Sequence, residues 1–176
     1  MDTATLILQI FTILISITSM VIAVSSEFRE NRKKNYIGIV TKQRIINKDC
    51  IRNYSQILLQ NTHIAILPHA TVKNLEDCIG AVSGIEVVFK NIYSQEKTFI
   101  DKANSLVGAL SDYLNDKTDI TLQNLLQNRN EFYKIYSIYD LSDWRFIKAQ
   151  SIGKEIDSED FDRIYENTEK TFNEKR

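Results

Sequence analysis

The sequence predicts an all-α protein: one membrane-spanning helix followed by a bundle of four or five helices. Three features predict it. Residues 3–26, TATLILQIFTILISITSMVIAVSS, carry no charge. Gly (5) and Pro (1) are scarce, and no Asn-Gly or Asp-Gly hairpin dipeptide occurs. Beyond residue 36, apolar residues recur at helical intervals almost throughout. The chain divides accordingly into a span at 1–26, a basic collar at 27–36 and a helical region at 37–176 whose size suits one domain.

A helix over residues 3–26 covers roughly 36 Å, enough to cross a hydrocarbon core of about 30 Å with some tilt. A cleaved signal peptide would instead need a positive n-region, a shorter apolar core and a small-residue cleavage site. Here only Asp2 precedes the run, the run is too long, and Phe28 and Arg29 follow it. A buried helix of a soluble core fits no better, because the segment is apolar nearly all round. Arg29, Arg32, Lys33 and Lys34 lie directly after the span and nothing basic precedes it. The positive-inside rule then puts the N-terminus outside and the C-terminal region in the cytoplasm, with the collar against anionic headgroups. Cys50 and Cys78 agree with a reducing compartment. They show no C-x-x-C spacing, so no disulfide, metal or cofactor is expected.

The span is not uniformly apolar. Thr5, Gln9, Thr12, Ser16 and Ser19 are spaced 4, 3, 4, 3, and the rhythm continues through Ala23 to Ser26. They form one helical seam of period 3.5, opposite Ile7, Ile10, Phe11, Leu14, Ile17, Val21 and Val24. An amide turned toward lipid without a partner costs several kcal/mol, and small or hydrogen-bonding residues on one seam are how membrane helices associate. Three readings stay open: a tether with incidental Ser and Thr, a dry dimer or trimer seam, or a wet lumen in a larger ring.

The bundle's first helix is expected over about 37–67, ended by Pro68, with a stripe of Ile46, Cys50, Tyr54, Ile57 and Ile64. The second spans about 72–93 with Val72, Leu75, Ile79, Val82, Ile85, Phe89 and Ile92 on one face. Its Gly80 and Gly84 suit close approach of a neighbouring helix. The third, near 96–114, shows Phe99, Ala103, Leu106, Leu110 and Tyr113. LNDKTD makes the next turn. The fourth runs from about Thr118 with Leu122, Leu125, Phe132, Ile135 and Tyr136, and ends near YDLSDW with Trp144 packed on the bundle. A last amphipathic helix begins around Asp157 or Ser158 as N-cap.

Net charge is −1, which gives no global sign of nucleic-acid binding. There is no repeat, phosphate loop or zinc pattern. His63 and His69 have no Cys, Asp or Glu at ligand spacing, and Ser55 lacks an orienting carboxylate. One constellation remains: Arg52-Asn53 followed by His63, in the order of the Arg-Asn…His ribonuclease signature of HEPN domains. There a guanidinium holds a phosphate while an imidazole moves protons at the 2′-hydroxyl. Eleven positions along a helix separate such groups by roughly 16 Å, too far for one phosphate to touch both. A second echo, Arg129-Asn130, has no histidine.

With its single span, basic collar and divergent Arg52, Asn53 and His63 remnant, the whole chain resembles the small HEPN-like membrane accessory proteins of type VI-B CRISPR–Cas systems. The resemblance implies a HEPN-like bundle in the bacterial inner membrane, assembled as a homo-oligomeric pore. It also implies a functional partner, an RNA-guided RNA-targeting nuclease whose antiviral action the pore strengthens by permeabilising or depolarising the membrane. The Arg52 to His63 spacing departs from the family's motif, so a non-enzymatic role is expected of the chain itself. The rival expectations are a membrane-tethered HEPN-like ribonuclease acting across a protomer interface and a single-span scaffold recruiting a defence nuclease.

Overall fold

The computed structural model describes residues 3–89, 94–151 and 158–174, without the side chains of residues 3–11, 13, 14, 33, 36 and 158. The chain is all-helical: α1 (Thr3–Asn61), α2 (Val72–Val88), α3 (Ser94–Asn115), α4 (Asp119–Ser151) and α5 (Ser158–Glu174), with a 3-10 turn at Leu67–His69 between α1 and α2. No strand occurs among the described residues. Two compact units divide the chain, Met1–Val40 and Thr41–Arg176.

In the first unit, Ile15, Ile17, Met20, Val21, Ile22, Val24 and Phe28 are 43–69% exposed. Three serines there turn back on their own helix. Ser16 Oγ donates to the Thr12 carbonyl (2.8 Å), Ser25 Oγ to Ile22 (3.0 Å) and Ser26 Oγ to Ala23 (2.8 Å). Each hydroxyl so bonded needs no partner from outside the helix. Among the described residues no helix is long and apolar enough to cross a membrane. The side chains of Thr5 and Gln9, and of most of residues 3–14, lie outside them.

In the second unit, α2, α3, α4 and α5 pack each on the next in chain order, and α1 from Thr41 onward meets α2 and α4 through its side chains. Asn61 at the end of α1 accepts from Asn74 Nδ2 at the start of α2 (2.8 Å), and Tyr54 lies over Gly84 farther along both helices. Thr71 N–H donates to Asn74 Oδ1 (2.9 Å), one half of a capping box. Thr118 caps α4 by accepting from the Thr121 N–H (3.3 Å). Phe99 of α3 sits at the centre of the core, its ring centroid 5.3 Å from Phe89, 5.3 Å from Phe132 and 5.4 Å from Tyr139. α5 joins through Phe161, which is fully buried with its ring edge-on to Phe146 (5.4 Å) and tilted against Tyr139 (5.8 Å).

α3 buries the face its spacing predicts: Phe99, Ala103, Leu106, Leu110 and Tyr113. Elsewhere the structure corrects the expectation. α1 stops at Asn61 rather than near residue 67: the His63 N–H turns to the Gln60 carbonyl (3.1 Å), three residues back, while Thr62 Oγ1 and Asn61 Nδ2 take the Leu58 and Ile57 carbonyls. Its buried stripe is Lys48, Ile51, Ser55, Leu58 and Thr62, whereas Ile46 and Ile64 are exposed and Cys50, Tyr54 and Ile57 flank the stripe. Val72 and Ile79 of α2 are likewise exposed, and α2 ends at Val88, with Phe89 extended after it. Of the residues expected to continue it, 90–93 lie outside the described ones, as does Asp157.

Of the two glycines of α2, Gly84 alone receives a neighbour. A Cβ there would stand 2.6 Å from Tyr54 Cε1 and Cε2, while Gly80 faces open space. The largest correction is in α4. It does not end at YDLSDW but runs on to Ser151, since Ser142 Oγ bonds the Ile138 carbonyl (2.7 Å) and Asp140 meets Lys48 and Arg52 of α1. Trp144 points outward, 46% exposed.

Candidate functional site

The polar residues of the second unit converge where α1 crosses α4. On α4, Asp140 and Asp143 are three residues apart and so face the same neighbour. On α1, Arg44, Lys48 and Arg52 recur every four residues and form the opposing row. Arg52 forks onto Asp140, Nε to Oδ1 at 2.6 Å and Nη2 to Oδ2 at 3.0 Å. Lys48 Nζ stands 2.7 Å from Asp140 Oδ1 and also donates to the Asp140 carbonyl. Asp143 Oδ2 is 3.9 Å from the same ammonium. One turn earlier, Arg44 Cζ lies 4.4 Å over the Phe146 ring centroid.

Lys48 is 4% exposed and Asp143 8%, so both charges are out of bulk water. The niche between Lys48, Ile51, Tyr136, Tyr139, Asp140 and Asp143 has no room for a water molecule. Burial pushes the Asp140 carboxyl up, yet hydrogen bonds from Arg52 and Lys48 outweigh it and hold the group below its ordinary range. Asp143 lacks such bonds, and burial pushes it up to about 6 against the attraction of Lys48 and Arg44. Burial also raises the Tyr136 phenol, with Asp140 adding to it. The arrangement is an ionic joint between two helices. Its guanidinium and ammonium are already committed to carboxylates.

The HEPN-like residues do not assemble. Arg52 belongs to this joint, Asn53 is exposed on α1, and His63 lies two residues past the end of that helix. His63 is exposed, and its Nδ1 accepts the Ala65 N–H (3.2 Å), closing the turn after α1. The pair therefore does not share one helix, contrary to the sequence reading. Ser55 is fully buried with its Oγ unpartnered. Of the second echo, Arg129 donates Nη2 to the Leu59 carbonyl near the end of α1 (3.5 Å), while Asn130 is exposed.

No family model, curated protein or solved structure matches this chain.

Of the other predicted residues, Thr12, Ser16 and Ser19 are exposed in the first unit, and Thr5 and Gln9 lie outside the described side chains. Arg29, Arg32 and Lys34 are exposed, Lys34 pairing with Glu30 (2.8 Å), while Lys33 lies outside the described side chains. No group of His, Cys, Asp or Glu suited to a metal ion occurs among the described residues. An open groove of about 460 Å³ runs along α4 past Gln123, Gln127, Asn130, Glu131 and Lys134. Glu131 there is occupied by Lys102 of α3 at 2.6 Å. Sequence reasoning missed Lys48, Asp140 and Asp143. Their signal was a charge inside each of two helical stripes, of opposite sign on α1 and α4.

Proposed function

We propose that this chain is a non-enzymatic single-span membrane protein. Its spans gather into an oligomer that permeabilises or depolarises the inner membrane in antiviral defence. One observation carries the reading: in the first unit a row of large apolar side chains, from Ile15 to Phe28, stands exposed on a single helix. Each such side chain left in water forgoes roughly 1.5–3 kcal/mol of burial, which a bilayer supplies. The polar residues on one seam, Thr5, Gln9, Thr12, Ser16 and Ser19, are then the edge on which copies meet. In the larger assembly that edge lines a path, with Arg29, Arg32 and Lys33 at its inner mouth. The engagement of Arg52 with Asp140 supports a structural rather than a phosphate-binding role for that guanidinium. The resemblance to the type VI-B accessory proteins adds the defence setting and an RNA-guided nuclease as functional partner.

The test is leakage of ions or dye from cells expressing the wild type and Gln9→Leu/Ser16→Leu at equal membrane abundance. The proposal expects leakage from the wild type and its loss in the double variant. Equal leakage overturns the lumen. Full function after exchange of residues 3–26 for an unrelated span would make the protein a scaffold. RNA cleavage by the purified chain, abolished in Arg52→Ala and His63→Ala with assembly intact, would make it a ribonuclease.

A further inference from the structure

Asp140 and Asp143 share one buried ammonium unequally. Asp140 has Lys48 Nζ at 2.7 Å and both arms of Arg52. Asp143 Oδ2 stands 3.9 Å from that ammonium, past hydrogen-bonding reach. Among the described residues no other cation comes within ion-pairing distance of Asp143. Arg44 on α1 is spread over the Phe146 ring, and Asp49 faces Arg52 Nη1 from the outer side at 3.9 Å. From α4 itself come Tyr136 and Tyr139, which wall the water-excluding niche. α5 reaches this level with the apolar ring of Phe161, packed on Phe146 and Tyr139.

A carboxylate that is largely buried and beside a second carboxylate is disfavoured in its charged form. Lys48 is already matched by Asp140, and the positive charge of Arg52 sits on a side chain 43% exposed to solvent. We propose that Asp143 is a proton-operated catch in the α1–α4 joint. Neutral, it lets the two helices close around a single carboxylate. Ionised, it places a second, poorly hydrated negative charge between them and loosens the joint. The proposal stands on the geometry of the second unit and does not rest on the membrane reading.

The direction follows from linkage. An aspartate in the unfolded chain titrates near ~3.9, whereas Asp143 in the folded chain is pushed up to about 6. Its unfavourable contribution is fully present above the folded value and disappears as pH falls toward the unfolded one. Mild acidification therefore firms the joint, the reverse of ordinary acid denaturation. Asp140, held low, acts in the opposite sense only at more acid pH.

The experiment uses the full chain in mild detergent with ¹³C-labelled aspartate, the Asp143 carboxyl resonance being assigned through its neighbours on α4. The expected midpoint is near 6. Hydrogen exchange of residues 41–61, corrected for intrinsic rates, should slow several-fold between pH 7.5 and 5.5 in the wild type. Asp143→Asn should show the slow rate at both values. A carboxyl that titrates near 4, or an Asp143→Asn chain that keeps the wild-type pH dependence, overturns the proposal. Should that variant fail to fold, the wild-type titration alone decides.

Discussion

Within α1, residues 15–28 and residues 48–62 treat polar and apolar groups in opposite ways. In the first stretch Ile15, Ile17, Met20 and Val21 are exposed, and Ser16, Ser25 and Ser26 spend their hydroxyls on carbonyls of their own helix. In the second, Ile51 and Leu58 are buried, and so are Lys48, Ser55 and Thr62, with Lys48 held by α4. A helix whose polar groups are satisfied locally leaves its apolar surface to be covered from outside. A helix whose buried cation is answered by another helix is committed to one partner and one register. Hydrogen bonding thus separates a segment awaiting a surrounding medium from one that has its neighbours.

The sharpest way to break this contrast is through the core that the second region needs and the first lacks. Phe99→Ala removes the ring that touches Phe89, Phe132 and Tyr139. It should cost about 3–5 kcal/mol, read from urea unfolding of the full chain in mild detergent by Trp144 fluorescence. The membrane-bound fraction should not change. A loss below about 1 kcal/mol would mean that the core is not centred on α3.

Next comes the joint. Asp140→Ala leaves Lys48 buried without its close partner and should cost roughly 3 kcal/mol. Lys48→Met combined with Asp140→Leu should recover part of that loss, because an apolar pair of similar volume avoids the desolvation of both charges while Asp143 stays in its neutral form. If the double variant is as unstable as the single one, the joint does not act as a pair.

Smaller again is the α1–α2 contact. Gly84→Ala drives a methyl into the Tyr54 ring and should cost about 1–3 kcal/mol. Gly80→Ala, facing open space, should be neutral or gain up to about 1 kcal/mol in helix propensity. Equal effects at the two sites would remove the close approach from the account.

The smallest effect on the bundle sharpens the contrast from the other side. Ile17 is 56% exposed, so Ile17→Asn should leave the bundle's unfolding within about 0.5 kcal/mol of wild type. The same change should lower the membrane-bound fraction on flotation. An unchanged fraction would argue that this surface is not covered by lipid.

The α3 face was legible because each position three or four residues on is apolar: Phe99, Ala103, Leu106, Leu110 and Tyr113. The α1 face was not, because three of its five buried positions are Lys48, Ser55 and Thr62, and hydropathy shifts the stripe to Ile46, Cys50 and Tyr54 beside it. The end of α4 was misread for a related reason. Asp140, Ser142 and Asp143 look like turn residues until the lysine and arginine that neutralise Asp140 are known, 92 and 88 positions away in sequence. The joint shared this obstacle: the charges were visible, their pairing was not. Arg52 was noticed only as part of a divergent HEPN-like remnant, and nothing in its own segment pointed to Asp140.

By itself the sequence determined that the chain is helical, that residues 3–26 form an uncharged run with a basic collar behind it, and which residues of α3 point inward. These follow from local periodicity and composition, which each segment expresses without reference to the others. Only the tertiary structure decided where α1 stops, which of its faces is buried, how far α4 runs and which carboxylate holds Arg52. Each of those depends on whether a polar group finds a partner on a distant helix. A buried charge is costly alone and tolerable when paired, and sequence spacing says nothing of the pair.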